Sequence, residues 1–307
     1  MKTITKTAHG KLILIGEHSV VYGEPAIAIP LPHLVATAQL SPNNSGQYLE
    51  DVDFKTSIDQ IPDQYIGLHI LINRLIQRLN IQNKFFTLKI SNQIPRSCGL
   101  GSSAAISSAI TKCFFAFCNE ELSKQELNYF INIAETVFHG NPSGLDAATV
   151  TSNQAIWFIK NKQLTPFNFN LHASLVIASS GIMGNTATAV NLVKDKLENQ
   201  TNLIQETINK LGILTEKAAQ AMINNQIITL GEIFNQAQVH LTTLGVNHPK
   251  LQKLIDIAHK HNSLGAKLSG SGLGGCIFAL FQYEDDAALL QTDLKNNGFP
   301  NVYIENI

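Results

Sequence analysis

Apolar positions recur along this chain in two periods, and their order sets out the elements. Residues 3–8 alternate loosely like an edge strand, and 11–15 form a compact apolar strand headed by Lys11. Strand patterns resume at 26–31 and 33–40, before a turn cluster, Ser-Pro-Asn-Asn-Ser-Gly, at 41–46. Residues 66–79 switch to helical spacing, with Leu68, Leu71, Ile72, Leu75, Ile76 and Leu79 on one stripe. A short strand at 86–91 puts Leu88 and Ile90 on one face. A helix opening near Ser102 then sets Ile106, Ala109, Ile110, Cys113, Phe114 and Phe117 at i, i+3, i+4 intervals. Ser123-Lys-Gln-Glu126 is a capping box for a further helix with Leu127, Phe130, Ile131, Ala134 and Phe138 as its buried stripe. The second half predicts strands at 155–159, 174–179 and 277–281, and helices near 187–197, 203–224, 226–244 and 249–261. Strands mixed with helices, without strict βαβ alternation, predict an α+β chain. Its 307 residues suffice for two domains with a core each.

Between the strand at 86–91 and the helix lies Pro95-Arg96-Ser97-Cys98-Gly99-Leu100-Gly101-Ser102-Ser103-Ala104-Ala105. Gly99 and Gly101 let the backbone turn tightly and approach a ligand closely. Ser102 and Ser103 stand where a helix begins, beside N–H groups with no intrahelical partner and the positive end of the helix dipole. That combination is an anion site and predicts a loop that holds nucleotide phosphates. A serine-capped helix packed by alanines explains any two of these residues, but not seven in succession. The loop is not a Walker motif, because no Gly-Lys-Ser/Thr follows at the required spacing.

Three further stretches carry polar chemistry. Lys11-Leu-Ile-Leu-Ile-Gly-Glu17-His18-Ser-Val-Val-Tyr-Gly23 places a lysine at a strand head and an acid–imidazole pair at its end. Glu135 lies beside the apolar stripe of its helix, and spacing alone favours a boundary glutamate reaching to water. His139-Gly-Asn-Pro-Ser-Gly-Leu-Asp146 follows, with Gly140, Pro142 and Gly144 making a tight turn and Asp146 at a helix start. Ala266-Lys-Leu-Ser-Gly270-Ser271-Gly272-Leu-Gly-Gly-Cys276 contains a Gly-x-Gly-x-x-Gly, but the glycines precede a strand and open no helix, which excludes a dinucleotide fingerprint.

The loop at 95–105 resembles the central ATP-binding motif of the GHMP kinases. The stretch from Lys11 resembles the first motif of the mevalonate kinases within that superfamily, and 270–275 resembles the third. Leu273 stands where longer members carry glycine, and a Gly-Leu-Gly-Gly form is similar to the short bacterial and archaeal type. The resemblance implies a two-lobed fold, an amino-terminal ribosomal-protein-like left-handed βαβ domain (1–171) and a carboxy-terminal ferredoxin-like domain (172–307), with ATP bound between the lobes. It implies that Lys11 and Asp146 are catalytic and that Glu17, His18 and Thr186 contact the substrate. It further implies that Ser103 and Glu135 hold Mg²⁺, and that 95–105 with Gly270, Ser271 and Gly272 bind ATP. The implied reaction is phosphorylation of (R)-mevalonate by ATP to 5-phosphomevalonate, in isoprenoid synthesis. Phosphomevalonate kinase or another small-alcohol kinase, and a catalytically silent sensor or an RNA-binding module on the same fold, are the alternatives. Intact Lys11, Ser103, Glu135 and Asp146 speak against a sensor.

Composition narrows this only at the edges. Hydrophobic content of 44% and charged content of 15% suit a soluble globular chain. A net charge of −1, with 22 basic and 23 acidic residues, predicts no nucleic-acid or anionic-membrane partner. Cys98, Cys113, Cys118 and Cys276 form no Cys-x-x-Cys pair, and no signal-like or membrane-length apolar run is seen. Together these predict a cytoplasmic enzyme with reduced thiols. Oligomeric state, a homodimer included, is not fixed by the sequence.

Overall fold

The computed structural model describes residues 2–139, 144–160, 162 and 164–307; the predicted turn at Gly140 and Pro142 and the packing of the Phe138 side chain lie outside the described part. The chain falls into two compact units that are discontinuous in sequence. One comprises Met1–Lys11, Pro30–Ile94 and Gly101–Asn153, the other Leu12–Ile29, Pro95–Leu100 and Gln154–Ile307. This grouping differs from a division at 171/172 because two long strands, β1 (Ile4–Ile15) and β2 (Ala26–Pro42), run through both units. The sequence pattern reads each of them as two strands. β2 runs unbroken through Pro30 and Pro32; it pairs with β6 at Ala26–Ala28, with β5 at Ala36–Pro42, and also with β1.

In the amino-terminal unit, Ala36–Pro42 pairs antiparallel with β5 (Phe86–Asn92). β3 (Gln47–Glu50) lies parallel to β5 and antiparallel to β4 (Lys55–Ser57). The parallel pair is joined through α1 (Ile66–Arg78), which buries Leu71, Ile72, Leu75 and Ile76 as its stripe predicts. α2 (Ser102–Cys118) packs on α3 (Lys124–His139) and on the short α4 (Leu145–Val150). Phe86 and Phe114 meet edge to face at 5.4 Å between centroids, fixing α2 against β5.

In the carboxy-terminal unit, Ala26–Ala28 pairs with β6 (Ala155–Phe158), which pairs with β7 (Thr165–Phe167). A second sheet contains β8 (Ser174–Ser179), then, after α5 (Thr186–Asn199), α6 (Thr201–Ile223), α7 (Ile227–Leu244) and α8 (Pro249–Lys260), β9 (Gly265–Ser269) and β10 (Cys276–Phe281). α9 (Glu284–Asn296) leads to β11 (Val302–Asn306). The order β11-β8-β10-β9, all antiparallel, is the ferredoxin-like arrangement. Among the described residues no helix is long and apolar enough to cross a membrane.

β9 is an edge strand, and its outward N–H groups need partners. α7 provides them from residues three apart on one face. Ala266 N–H donates to Asn235 Oδ1 at 3.0 Å and Leu268 N–H to Gln238 Oε1 at 3.0 Å, while Asn235 Nδ2 donates to Leu264 O at 3.2 Å. The helix approaches closely because Gly231 faces Gly265; a Cβ on Gly265 would lie 2.2 Å from the Gly231 carbonyl oxygen. Replacing the buried Gln238 by Leu strands the Leu268 N–H, and unfolding stability falls by about 1–3 kcal/mol. A urea titration then shows a lower midpoint at unchanged slope, whereas an unchanged midpoint removes α7 as the cap of this edge.

Candidate active site

The amino-terminal unit gathers four polar residues around Lys11. Lys11 leaves β1 into the apolar interior, with 2% of its side chain exposed, and its Nζ lies 3.0 Å from Asp146 Oδ1. Gly101, at φ 72°, has room for the lysine stem only because it lacks a side chain: a Cβ there would lie 2.8 Å from Lys11 Cγ. Asp146 stands in the first turn of α4, behind Gly144, where exposed N–H groups favour a carboxylate. Ser103, the second residue of α2, donates its hydroxyl to the Glu135 carboxylate on α3. Asn92 holds the entry to this arrangement, donating to Ser102 Oγ at 2.9 Å and to Ile94 O at 2.8 Å.

Glu135 corrects the reading from spacing. It does not bend to water; it is 3% exposed. One turn after Ile131 on α3, it points between α2 and α4, which cover it. Burial, reinforced by the charge of Asp146, pushes its carboxyl up to about 7. Such a carboxylate is short of positive charge, and with the Ser103 hydroxyl it forms an oxygen-only donor set suited to a hard divalent cation. Among the described residues no three His, Cys, Asp or Glu gather as a protein cage. Magnesium needs none, because it takes most of its ligands from phosphate and water.

The carboxy-terminal unit holds the other predicted residues. Pro95–Leu100 belongs to it and packs on the third glycine loop, so that the α-carbons of Gly99 and Gly270 face each other without intervening side chains. Gly184 N–H donates to Ser97 O at 2.9 Å, and Leu273 N–H to Val246 O at 2.7 Å. A Cβ on Gly272 would lie 2.1 Å from that Val246 oxygen. Arg96, Ser97 and Thr186 are exposed, Thr186 as the first residue of α5, while Cys98 and Leu100 are buried. Ala104 and Ala105 are buried in α2, in the other unit.

Glu17 and His18 are buried, and both reach the third motif. Glu17 is ion-paired with Lys267, and His18 Nε2 is 2.8 Å from Ser271 O. A carbonyl only accepts, so Nε2 carries the proton and Nδ1 is left as an acceptor. Burial pushes the imidazole down to about 4, which keeps it neutral near pH 7. The sequence reading quotes Lys267 within its motif but gives it no role, and it passes over Asn92. A lysine inside a strand that is otherwise Gly, Ala, Leu and Ser was the available signal.

The neutral His18 gives a pH signature. Its folded value lies below its unfolded one, so its stabilising contribution is complete above about pH 6.5 and is lost as pH falls through about 4. The loss amounts to about 3 kcal/mol. Urea unfolding at pH 7 and pH 4.5 shows a smaller acid loss for His18→Gln than for the wild type. Equal losses would mean that His18 takes up its proton in the folded state.

Comparison with known proteins identifies the family. Residues 68–154 match the GHMP kinases N terminal domain and 218–301 the GHMP kinases C terminal family model. A mevalonate kinase from Pyrococcus horikoshii is 30% identical over 91% of this chain and 89% of its own length. The structure of L. major mevalonate kinase in complex with R-mevalonate superposes with a TM-score of 0.84 at 24% identity, covering 98% of this chain and 94% of that one. A Streptococcus pneumoniae phosphomevalonate kinase shares the fold at 0.80 and 17% identity, over 99% of this chain and 100% of that one. Long sequence identity, the two family models and a lysine–aspartate pair beside a glycine turn converge, and the chain belongs to the mevalonate kinase family of the GHMP kinases.

Proposed function

We propose that this chain transfers the γ-phosphoryl group of ATP to the 5-hydroxyl of (R)-mevalonate, giving 5-phosphomevalonate and ADP for isoprenoid synthesis. The observation that carries the reading is Lys11 Nζ at 3.0 Å from Asp146 Oδ1, directly against Gly101. Phosphoryl transfer to an alcohol is mainly positioning and charge stabilisation, and these residues are suited to both. Asp146 orients the acceptor hydroxyl and accepts its proton. Lys11 holds Asp146 in place and offsets charge on the transferring group. Residues 95–105 with Gly270, Ser271 and Gly272 take the nucleotide phosphates, through backbone N–H groups at the start of α2 and in the glycine loops. Glu17, His18 and Thr186 contact the acceptor.

Ser103 and Glu135 would hold Mg²⁺, whose charge, when bound, neutralises phosphate oxygens. The free cysteines suit a reducing compartment, and the cytoplasm is the place of action. The fold alone admits a phosphorylated acceptor. Such an acceptor would bring about two more negative charges toward Asp146 and Glu135, which favours a plain hydroxyl.

ADP release is followed with purified protein, ATP, Mg²⁺ and either mevalonate or 5-phosphomevalonate. Mevalonate supports turnover, and turnover with 5-phosphomevalonate alone overturns the assignment. Asp146→Asn lowers kcat by about 10²–10⁴ while binding of a non-hydrolysable ATP analogue is unchanged. A kcat near that of the wild type removes Asp146 from the mechanism.

A further inference from the structure

Lys267 is one of the largest wholly buried side chains, in a strand where every residue is buried. Its Nζ donates to Glu17 Oε1 and, at 2.7 Å, to Leu268 O, and it lies 5.2 Å from the centre of the Phe278 ring. Burying such a pair gains little over an apolar pair of equal volume, so stability is a poor reason for its presence.

What the pair touches is more informative. Glu17 O accepts the Ser19 N–H at 2.7 Å around His18, whose backbone sits at φ 62°, ψ −48°. This is the rare, strained form of the γ-turn, which persists only where its surroundings hold it. The hold comes from β9 and the glycine loop that follows it. Lys267 grips Glu17, Ser269 Oγ donates to Ile13 O at 2.9 Å, and Ser271 O accepts from His18. The strained turn thus has its leading residue fixed by Lys267 and its central side chain fixed by Ser271.

We propose that Lys267 is a positioning residue for the acceptor alcohol, setting the Glu17–Ser19 turn so that His18 presents its free nitrogen in one orientation. Lys267 itself touches no substrate, being wholly buried. The proposal rests on Glu17 and His18 forming the acceptor contacts of the proposed reaction.

The test uses the full chain with Lys267→Arg, which keeps the charge and changes the reach, and Lys267→Met combined with Glu17→Gln, which removes both charges together. In Lys267→Arg the KM for the acceptor rises about tenfold, while the KM for ATP stays within about twofold. The double variant unfolds in urea near the wild-type midpoint yet keeps the raised acceptor KM. Independently of any acceptor, the His18 Nε2–H resonance, shielded from solvent exchange in the wild type, exchanges faster in Lys267→Arg. A folded Lys267→Arg with unchanged acceptor KM or unchanged His18 exchange overturns the proposal. So do the two KM values rising together, failure of Lys267→Arg to fold, or recovery of the acceptor KM in the double variant. A wild type inactive on mevalonate is instead a failure of the assigned reaction; the kinetic arm then uses whichever alcohol is turned over, and the exchange arm stands without one.

Discussion

A lysine with almost no solvent around it governs the amino-terminal unit. An ammonium ion taken out of water must find an opposite charge or give up its proton. Lys11 finds Asp146 at 3.0 Å, and the rest of the arrangement follows from accommodating the two. Asp146 has to stand at a helix start, which α4 provides behind Gly144. The lysine stem has to lie where a side chain at 101 would be, so that position is glycine, and α2 can begin only after it. Starting α2 at Ser102 brings Ser103 against Glu135, a second carboxylate, this one buried, that the same lysine helps to offset. One cation in an apolar strand therefore constrains a turn, two helix starts and an acid.

The carboxy-terminal unit handles polar groups differently, through backbone approach. Its third glycine loop meets Val246 after α7, Ile182 after β8 and Cys98–Gly99 of the phosphate loop, each at distances that a Cβ would violate or crowd. The loop can receive so many neighbours because β9, which feeds it, is held on both sides. β10 takes one side, and the amides of Asn235 and Gln238 take the other. A fixed strand entering a glycine-rich loop leaves the loop's shape set by close backbone contacts rather than by bulky side chains.

Much of this was legible in the sequence where one face of an element is buried. The helix expected at 66–79 occupies Ile66–Arg78, and the strand expected at 174–179 is Ser174–Ser179. β3, β4 and β7 escaped because they are three or four residues long, too short for alternation to show. β1 and β2 read as four strands because the apolar pattern lapses at 9–10 and at 32, whereas the backbone stays extended through both places. α9 was readable from its acidic first turn and its Ala287, Leu290 and Leu294 stripe, yet residues 282–307 were given no element. Glu135 was misplaced for a different reason. Helical spacing tells which side of α3 a residue faces, but not that α2 and α4 close over that side.

A fold shared by mevalonate and phosphomevalonate kinases cannot by itself choose the acceptor, so discrimination belongs to side chains. In the amino-terminal unit the buried Lys11 is already matched to Asp146, and Glu135 adds a second acid. In the other unit Lys267 is committed to Glu17, and His18 is neutral with its proton committed to Ser271 O. What Asp146 and His18 offer in the two units is thus a hydrogen-bond acceptor, a carboxylate in one and an imidazole nitrogen in the other. Hydroxyl groups satisfy such acceptors by donating to them, whereas a phosphate ester would confront them with like charge and lone pairs. Pairing of Lys11 and Lys267 inside their own units leaves these two buried cations unavailable to a phosphate ester, which favours a plain alcohol.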